Sequence, residues 1–154
     1  MRYRVKSLRA DMSMAVSVVD ADTVDDVRRQ VQALGAGDVL LCSYGLLQQD
    51  LDIFSGRAWH TVVLDEAQFI KNPRTRAAAC AGRLQSALRL CLTGTPMENH
   101  LGELWSILHF LMPGYLGGSD EFTRLFRTPI EKHQDGRRRA QLAKAGVVAR
   151  QRLQ

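Results

Sequence analysis

The sequence predicts an α/β fold, a parallel sheet with flanking helices, and three observations carry that reading. Asp38 to Tyr44 (DVLLCSY), Thr61 to Leu64 (TVVL) and Leu88 to Leu92 (LRLCL) are short, continuous apolar runs, the pattern of strands buried on both faces. Between and beyond them apolar residues recur every three or four positions, the period of helices that bury one side. Strand, helix and strand in succession is the rhythm of parallel pairing with right-handed crossovers.

Each element has a local cause. Asp22 or Thr23 can cap a helix whose apolar positions are Val24, Val27, Val31 and Leu34, and Gly35 and Gly37 end it. The same glycines bound the first strand run. Asn72 followed by Pro73 reads as a helix start with proline at its first position, continued by Ala77 to Leu84. Leu101, Leu104, Trp105, Leu108 and Leu111 form one face of an amphipathic helix, stopped by Pro113 and Gly114, and that stripe reads as core packing. A loop with Gly117 and Gly118 then leads to a short helix from Ser119, whose first turn holds Asp120 and Glu121 where the helix dipole favours acids. Beyond Pro129 the chain is polar and basic, with a weak helical pattern.

At 154 residues and 45% apolar composition, the chain can form one domain with a true core. No apolar run approaches the roughly 20 residues of a bilayer span, and the basic start MRYRVKSLR leads into Asp11 rather than a signal-peptide core. A soluble, cytoplasmic protein is expected. Cys42, Cys80 and Cys91 are far apart and form no CxxC pair, so they read as small core or near-core residues in a reducing compartment rather than as a disulfide framework or zinc site. The net charge is +5 and the pI about 9.5. Its distribution says more: Asp11 to Asp26 is acidic, whereas Lys71 to Arg89 carries Lys71, Arg74, Arg76, Arg83 and Arg89 with no acid. The tail adds Arg137, Arg138, Arg139, Lys144, Arg150 and Arg152. Such runs are solvated helix faces or a contact surface for an acidic partner.

The stretch VVLDEAQFIKNP sets Asp65 and Glu66 at the end of a strand run. In open parallel sheets ligands bind beyond the carboxyl ends of strands. Neighbouring strand residues point to opposite faces, so the chain must turn at Asp65 for both acids to serve one ligand. One carboxylate there can hold magnesium while the other accepts a proton from an attacking water, the two tasks of phosphate-ester hydrolysis. A bare acid pair is more often an exposed loop. The next strand changes the balance, because it ends in Thr93, Gly94, Thr95 and Pro96, again at a carboxyl end and one crossover away. Small hydroxyl residues beside glycine let neighbouring polar side chains approach, and Gln68 is the natural partner.

Together DEAQFIKNPRT and LTGTPMENHLGELWSILHFLMPGYLG resemble the Swi/Snf family of superfamily-two helicase-like ATPases. The extensions IKNP and ENxLxELWSxxxFL separate that family from ordinary DEAD-box proteins. The resemblance runs from about Ala36 to Glu131, more faintly back to Met14, and implies a partial RecA-like (P-loop NTPase) lobe followed by a helical segment. It divides the chain into residues 1–112 as the partial ATP-binding lobe, 113–131 as a family-specific helical extension and 132–154 as a basic, weakly structured tail. It implies that Asp65 coordinates magnesium, that Glu66 activates water, and that Gln68 couples the nucleotide site to motif III, here Thr93, Gly94, Thr95 and Pro96. DVLLCSYGLL resembles a strand and turn placed near the DNA path, which implies DNA contacts for Ser43 and Tyr44. Lys71, in the basic run, is expected to join them.

The resemblance further implies ATP and magnesium as cofactors and double-stranded DNA as partner of the parent enzyme. No GxGKT-like phosphate loop occurs in the 154 residues, nor a second RecA-like lobe with its arginine motif. The chain therefore reads as the later half of a first ATPase lobe, inactive alone and completed by the remainder of the ATPase. The alternative is a non-catalytic DNA- or protein-binding module derived from the same fold.

Overall fold

The computed structural model describes residues 2–8, 14–20 and 24–152, with side chains from 24 to 144. The chain divides into two compact units, Met1–Val62 with Ala79–Leu88, and Val63–Ala78 with Arg89–Gln154. The helix cap expected at Asp22 or Thr23 lies outside the described residues.

The first unit begins with strands β1 (Arg2–Leu8) and β2 (Met14–Asp20), followed by helix α1 (Val24–Gln32). Helix α1 buries Val27 and Val31 and packs against the later short helix Leu51–Ser55. Gly37, at φ 89°, makes the turn out of α1 that a side chain would resist. Strand β3 (Asp38–Leu41) follows, then helices α2 (Tyr44–Gln49) and α3 (Leu51–Ser55) and strand β4 (Ala58–Leu64). Ile53 and Phe54 of α3 are buried, and Trp59 donates its indole N–H to the Phe54 carbonyl at 2.8 Å.

One strand differs from the expectation of burial on both faces in a parallel sheet. β3 pairs antiparallel with β1, Arg4 opposite Leu41, at the edge of a three-stranded sheet ordered β2-β1-β3. Val39 and Leu41 are about half exposed. An apolar run states that a strand is stable, not which strand lies beside it, and an antiparallel sheet can keep one face in water. The run is also shorter than its apolar letters, because Ser43 leaves the strand to cap α2, its hydroxyl accepting the Leu46 N–H at 3.2 Å.

β4 pairs with β5 (Gln85–Cys91), and their carboxyl ends run parallel: Leu92 N–H donates to the Leu64 carbonyl at 2.8 Å, and Ala67 N–H to the Leu92 carbonyl at 3.0 Å. The connection holds a 3-10 turn (Ala67–Ile70) and helix α4 (Arg76–Gly82). This helix starts three residues later than Asn72-Pro73 suggests. Asn72 accepts the Arg74 N–H on its side-chain oxygen, an Asx turn, and Thr75 takes the capping role by accepting the Ala78 N–H at 3.3 Å. Among the described residues the β4–β5 sheet has two strands, and Leu88, Leu90 and Leu92 are each more than a third exposed.

That exposed apolar edge leads to an expected result. The free side of β5 should exchange its amide hydrogens quickly, and the chain should associate as its concentration rises. Hydrogen exchange and sedimentation on the 154-residue chain check it; a monomer with strong protection throughout Gln85–Cys91 would contradict the edge argument.

The second unit continues with α5 (Leu101–Leu111), α6 (Ser119–Phe122), a π-helical stretch (Thr123–Arg127), α7 (Thr128–His133) and α8 (Gly136–Arg152). The tail, weakly patterned in sequence, is thus largely helical. Trp105, Phe122, Ile130 and Leu142 form its core, so α8 gains from packing what its composition does not supply. The Arg89 guanidinium donates to the Phe110 carbonyl at 2.9 Å and lies over the Phe110 ring. Of the cysteines, Cys80 is buried and Cys91 partly so, whereas Cys42 is exposed rather than a core residue. No helix of the described residues is long and apolar enough to cross a membrane.

Candidate functional site

The site is built at the carboxyl ends of β4 and β5, within the second unit. β4 buries Leu64, and then the chain leaves the sheet. The turn falls at Glu66 rather than Asp65: Glu66 has φ 51° and ψ 49°, the left-handed region, and donates its N–H to the Asp65 side chain at 2.9 Å. A non-glycine residue in that conformation costs about 1–2 kcal/mol. The cost has a geometric return, since a left-handed residue directly after Asp65 breaks the strand alternation that would separate the two acids. Both carboxylates are exposed.

Gln68 joins the two loops. Its amide NH2 donates to Glu66 Oε2 at 2.5 Å, and its carbonyl accepts the Thr93 hydroxyl at 3.1 Å. The Thr93 oxygen in turn accepts the Thr95 N–H at 3.2 Å. The structure therefore brings Glu66, Gln68 and Thr93 into one hydrogen-bonded row, with Gly94, Thr95 and Pro96 exposed beside it. Gly94 has open space where a side chain would begin, so its small size is not demanded by packing within this chain.

Lys71 corrects a sequence expectation. It is only 6% exposed, and its ammonium lies 3.2 Å from Glu98 and 3.7 Å from Glu103, so it is held inside the protein and does not present itself to DNA. A buried ammonium needs such partners, because desolvation alone would be prohibitive. Ser43 and Tyr44 belong to the first unit; the Ser43 hydroxyl serves the α2 cap, and Tyr44 is half buried. Arg74, Arg76 and Arg83 remain at the surface.

Glu103 is the residue that sequence reasoning passed over. From the third position of α5 it reaches back: Oε2 accepts the backbone N–H groups of Glu98 at 2.7 Å and Asn99 at 3.1 Å, and Oε1 accepts the Asn99 amide at 2.8 Å. The Glu98 N–H, with the Asn99 side chain next, holds the Glu103 carboxyl down to about 2 despite its burial, and the Lys71 charge adds to the effect. The signal was an acid three positions into an apolar helix, a reach-back pattern. The segments IKNP and ENxLxELW thus meet at Lys71, which pairs with both Glu98 and Glu103. A cleft of about 780 Å³ opens alongside; Arg74 and Arg127 line it with Asp120, a mixed set that selects no one sign of charge.

As for a metal, Asp65 is an exposed hard-oxygen donor, and no cluster of three or more His, Cys, Asp or Glu among the described residues could hold an ion. The exposed Asp65 carboxylate is a donor of the kind magnesium takes, since that ion binds through one or two protein carboxylates and draws its other ligands from phosphates and water.

The SNF2-related domain matches residues 6–148. The chain belongs to the SNF2-related family. It is similar to YwqA of Bacillus subtilis, 46% identical over 105 residues, which cover 68% of this chain and 11% of YwqA. It is also similar to the TATA-binding protein-associated factor BTAF1 of Arabidopsis thaliana, 36% identical over 116 residues, covering 75% of this chain and 6% of that protein. Among solved structures, the Sulfolobus solfataricus SWI2/SNF2 ATPase core in complex with double-stranded DNA aligns with a TM-score of 0.62 and 42% identity, over 66% of this chain and 21% of that one. The chain therefore spans a small part of the length of the relatives it matches, and the family match over residues 6–148 includes the segment from Asp65 to Glu103.

Proposed function

We propose that this chain supplies the water-activating part of a SNF2-type, DNA-dependent ATPase that translocates along double-stranded DNA. The observation that carries the reading is the row from Glu66 through Gln68 to Thr93 at the carboxyl ends of two parallel strands. In it Glu66 takes the proton of the attacking water, and Gln68, bonded to both Glu66 and Thr93, ties that acid to motif III. Asp65 is the residue that would hold magnesium, which when bound offsets charge on the phosphates. ATP itself needs a cradle of backbone N–H groups and a lysine, which no stretch of the 154 residues provides. The remainder of the ATPase is accordingly the partner that completes the site, and a cytoplasmic location suits the reading.

The test is a completion experiment. The chain alone should show no ATP turnover above background, with or without DNA. Fused to a phosphate-loop half-lobe and second lobe taken from the Sulfolobus core, it should hydrolyse ATP in a DNA-stimulated manner. Robust turnover by the chain alone, or none from the fusion, contradicts the proposal.

A second reading, a non-catalytic DNA- or protein-binding module, is favoured by the exposed Arg74, Arg76 and Arg83 in a segment without acids. Contact through them, with Ser43 and Tyr44 as further candidates, should be weak, indifferent to base sequence and steeply salt dependent. A salt titration of DNA binding separates this from base-specific recognition.

A further inference from the structure

Lys71 does more in this structure than neutralise an acid. Besides Glu98 and Glu103, its ammonium donates to the Thr95 hydroxyl at 3.5 Å. Lys71 caps the end of the 3-10 turn three residues after Gln68, a spacing that sets the two side chains on one side, and they reach Thr95 and Thr93 respectively. Two rungs therefore join the DEAQ loop to the TGTP loop. Thr93 links the rungs by accepting the Thr95 N–H. The polar contacts run without a gap from Glu66 through Gln68, Thr93, Thr95 and Lys71 to Glu103 on α5.

Both ends of the Lys71 span are fixed. The residue before it is anchored where the buried Ser106 hydroxyl of α5 donates to the Ile70 carbonyl at 2.5 Å, and its own N–H donates to the Gln68 carbonyl at 3.2 Å. At the far end Glu103 has its two oxygens committed to Glu98 and Asn99, so it cannot follow the ammonium if the loop moves. A buried ion pair is weak evidence for stability, since apolar residues of the same volume often serve as well. What an apolar residue cannot do is bond a threonine hydroxyl and an acid on another element at once.

We propose that Lys71 is a positioning residue for Glu66, setting the acid's place through Thr95, Thr93 and Gln68 against the fixed frame of α5. As a statement about catalysis this rests on the reading of Glu66 as the water-activating acid. The relay itself is a property of the side chains and is tested without turnover.

The experiment compares the 154-residue chain with its Lys71→Met, Lys71→Arg and Glu98→Gln variants by nuclear magnetic resonance and amide exchange. Lys71→Met should shift the Gln68 side-chain amide signals and speed exchange at Thr95, Glu98 and Asn99 by about tenfold or more, leaving amides around Phe122 and Ile130 unchanged. Lys71→Arg, which keeps the charge and donors, should restore most of the Gln68 signal. A uniform acceleration at all amides, or an unmoved Gln68 signal in a folded Lys71→Met chain, overturns the proposal. Where Lys71→Met does not fold, Glu98→Gln decides: it removes the exposed partner without stranding a buried group, and should move Thr95 and Gln68 in the same sense by less. No movement there overturns it equally. An inactive fusion enzyme alongside a moved Gln68 signal would sink the ATPase reading while leaving the relay standing.

Discussion

Glu103→Ala is expected to destabilise the chain by roughly 3–5 kcal/mol, the usual cost of stranding one partner of a buried ion pair. The substitution takes the acceptor from the Glu98 and Asn99 N–H groups and removes one of the two acids facing Lys71. Glu98 is largely exposed and leaves the ammonium partly compensated, which favours the lower end of that range. Denaturant unfolding measures the loss. Its pH dependence has a defined sign: the carboxyl titrates near 4.5 in an unfolded chain and near 2 in the folded one, so folding favours the charged form. The stability difference between the native chain and Glu103→Gln should be complete above about pH 4.5, shrink as the pH falls and vanish by about pH 2. A difference that grew on acidification would contradict the assignment.

Glu66→Gln, placed in the fusion enzyme, is expected to lower kcat by about 10²–10⁴-fold, the usual contribution of a positioned general base. The amide is nearly isosteric and retains an oxygen for Gln68 to bond, so KM for ATP should change little. The left-handed backbone at this position adds a second arm. Glu66→Gly should abolish turnover to a similar degree yet stabilise the fold by up to about 1 kcal/mol, because glycine adopts φ 51° without the Cβ clash. A variant that gains stability as it loses activity would mark Glu66 as held in strain for its chemistry. Unchanged kcat in Glu66→Gln would remove it from the catalytic role.

Much of this site was legible in the letters. Acids after one apolar run and TGTP after the next placed both loops at the carboxyl ends of parallel strands, and Gln68 was a natural partner for a threonine across the gap. These features are local: a strand, a turn and a short polar side chain fix one another over a few residues. Lys71 was misread for the opposite reason. Its membership of a basic run suggested a surface, and only the return of the chain through Glu98 and into α5 encloses its ammonium between Glu98 and Glu103.

The same division separates the strands. DVLLCSY identified a strand and overstated its burial: β3 pairs with β1 in antiparallel register, and Val39 and Leu41 stay about half exposed, because partner choice belongs to the sheet. α8 shows the converse, a segment with a weak pattern of its own that is helical where Leu142 can join Trp105, Phe122 and Ile130. The sequence by itself determined the α/β character, the family, and the two polar loops at the carboxyl ends of β4 and β5. The tertiary structure decided that Lys71 is interior, because its desolvation and its partners Thr95, Glu98 and Glu103 come from residues distant in the chain; the left-handed turn at Glu66 and the reach of Glu103 to Glu98 and Asn99 are made with near neighbours, and it took the folded backbone to show them.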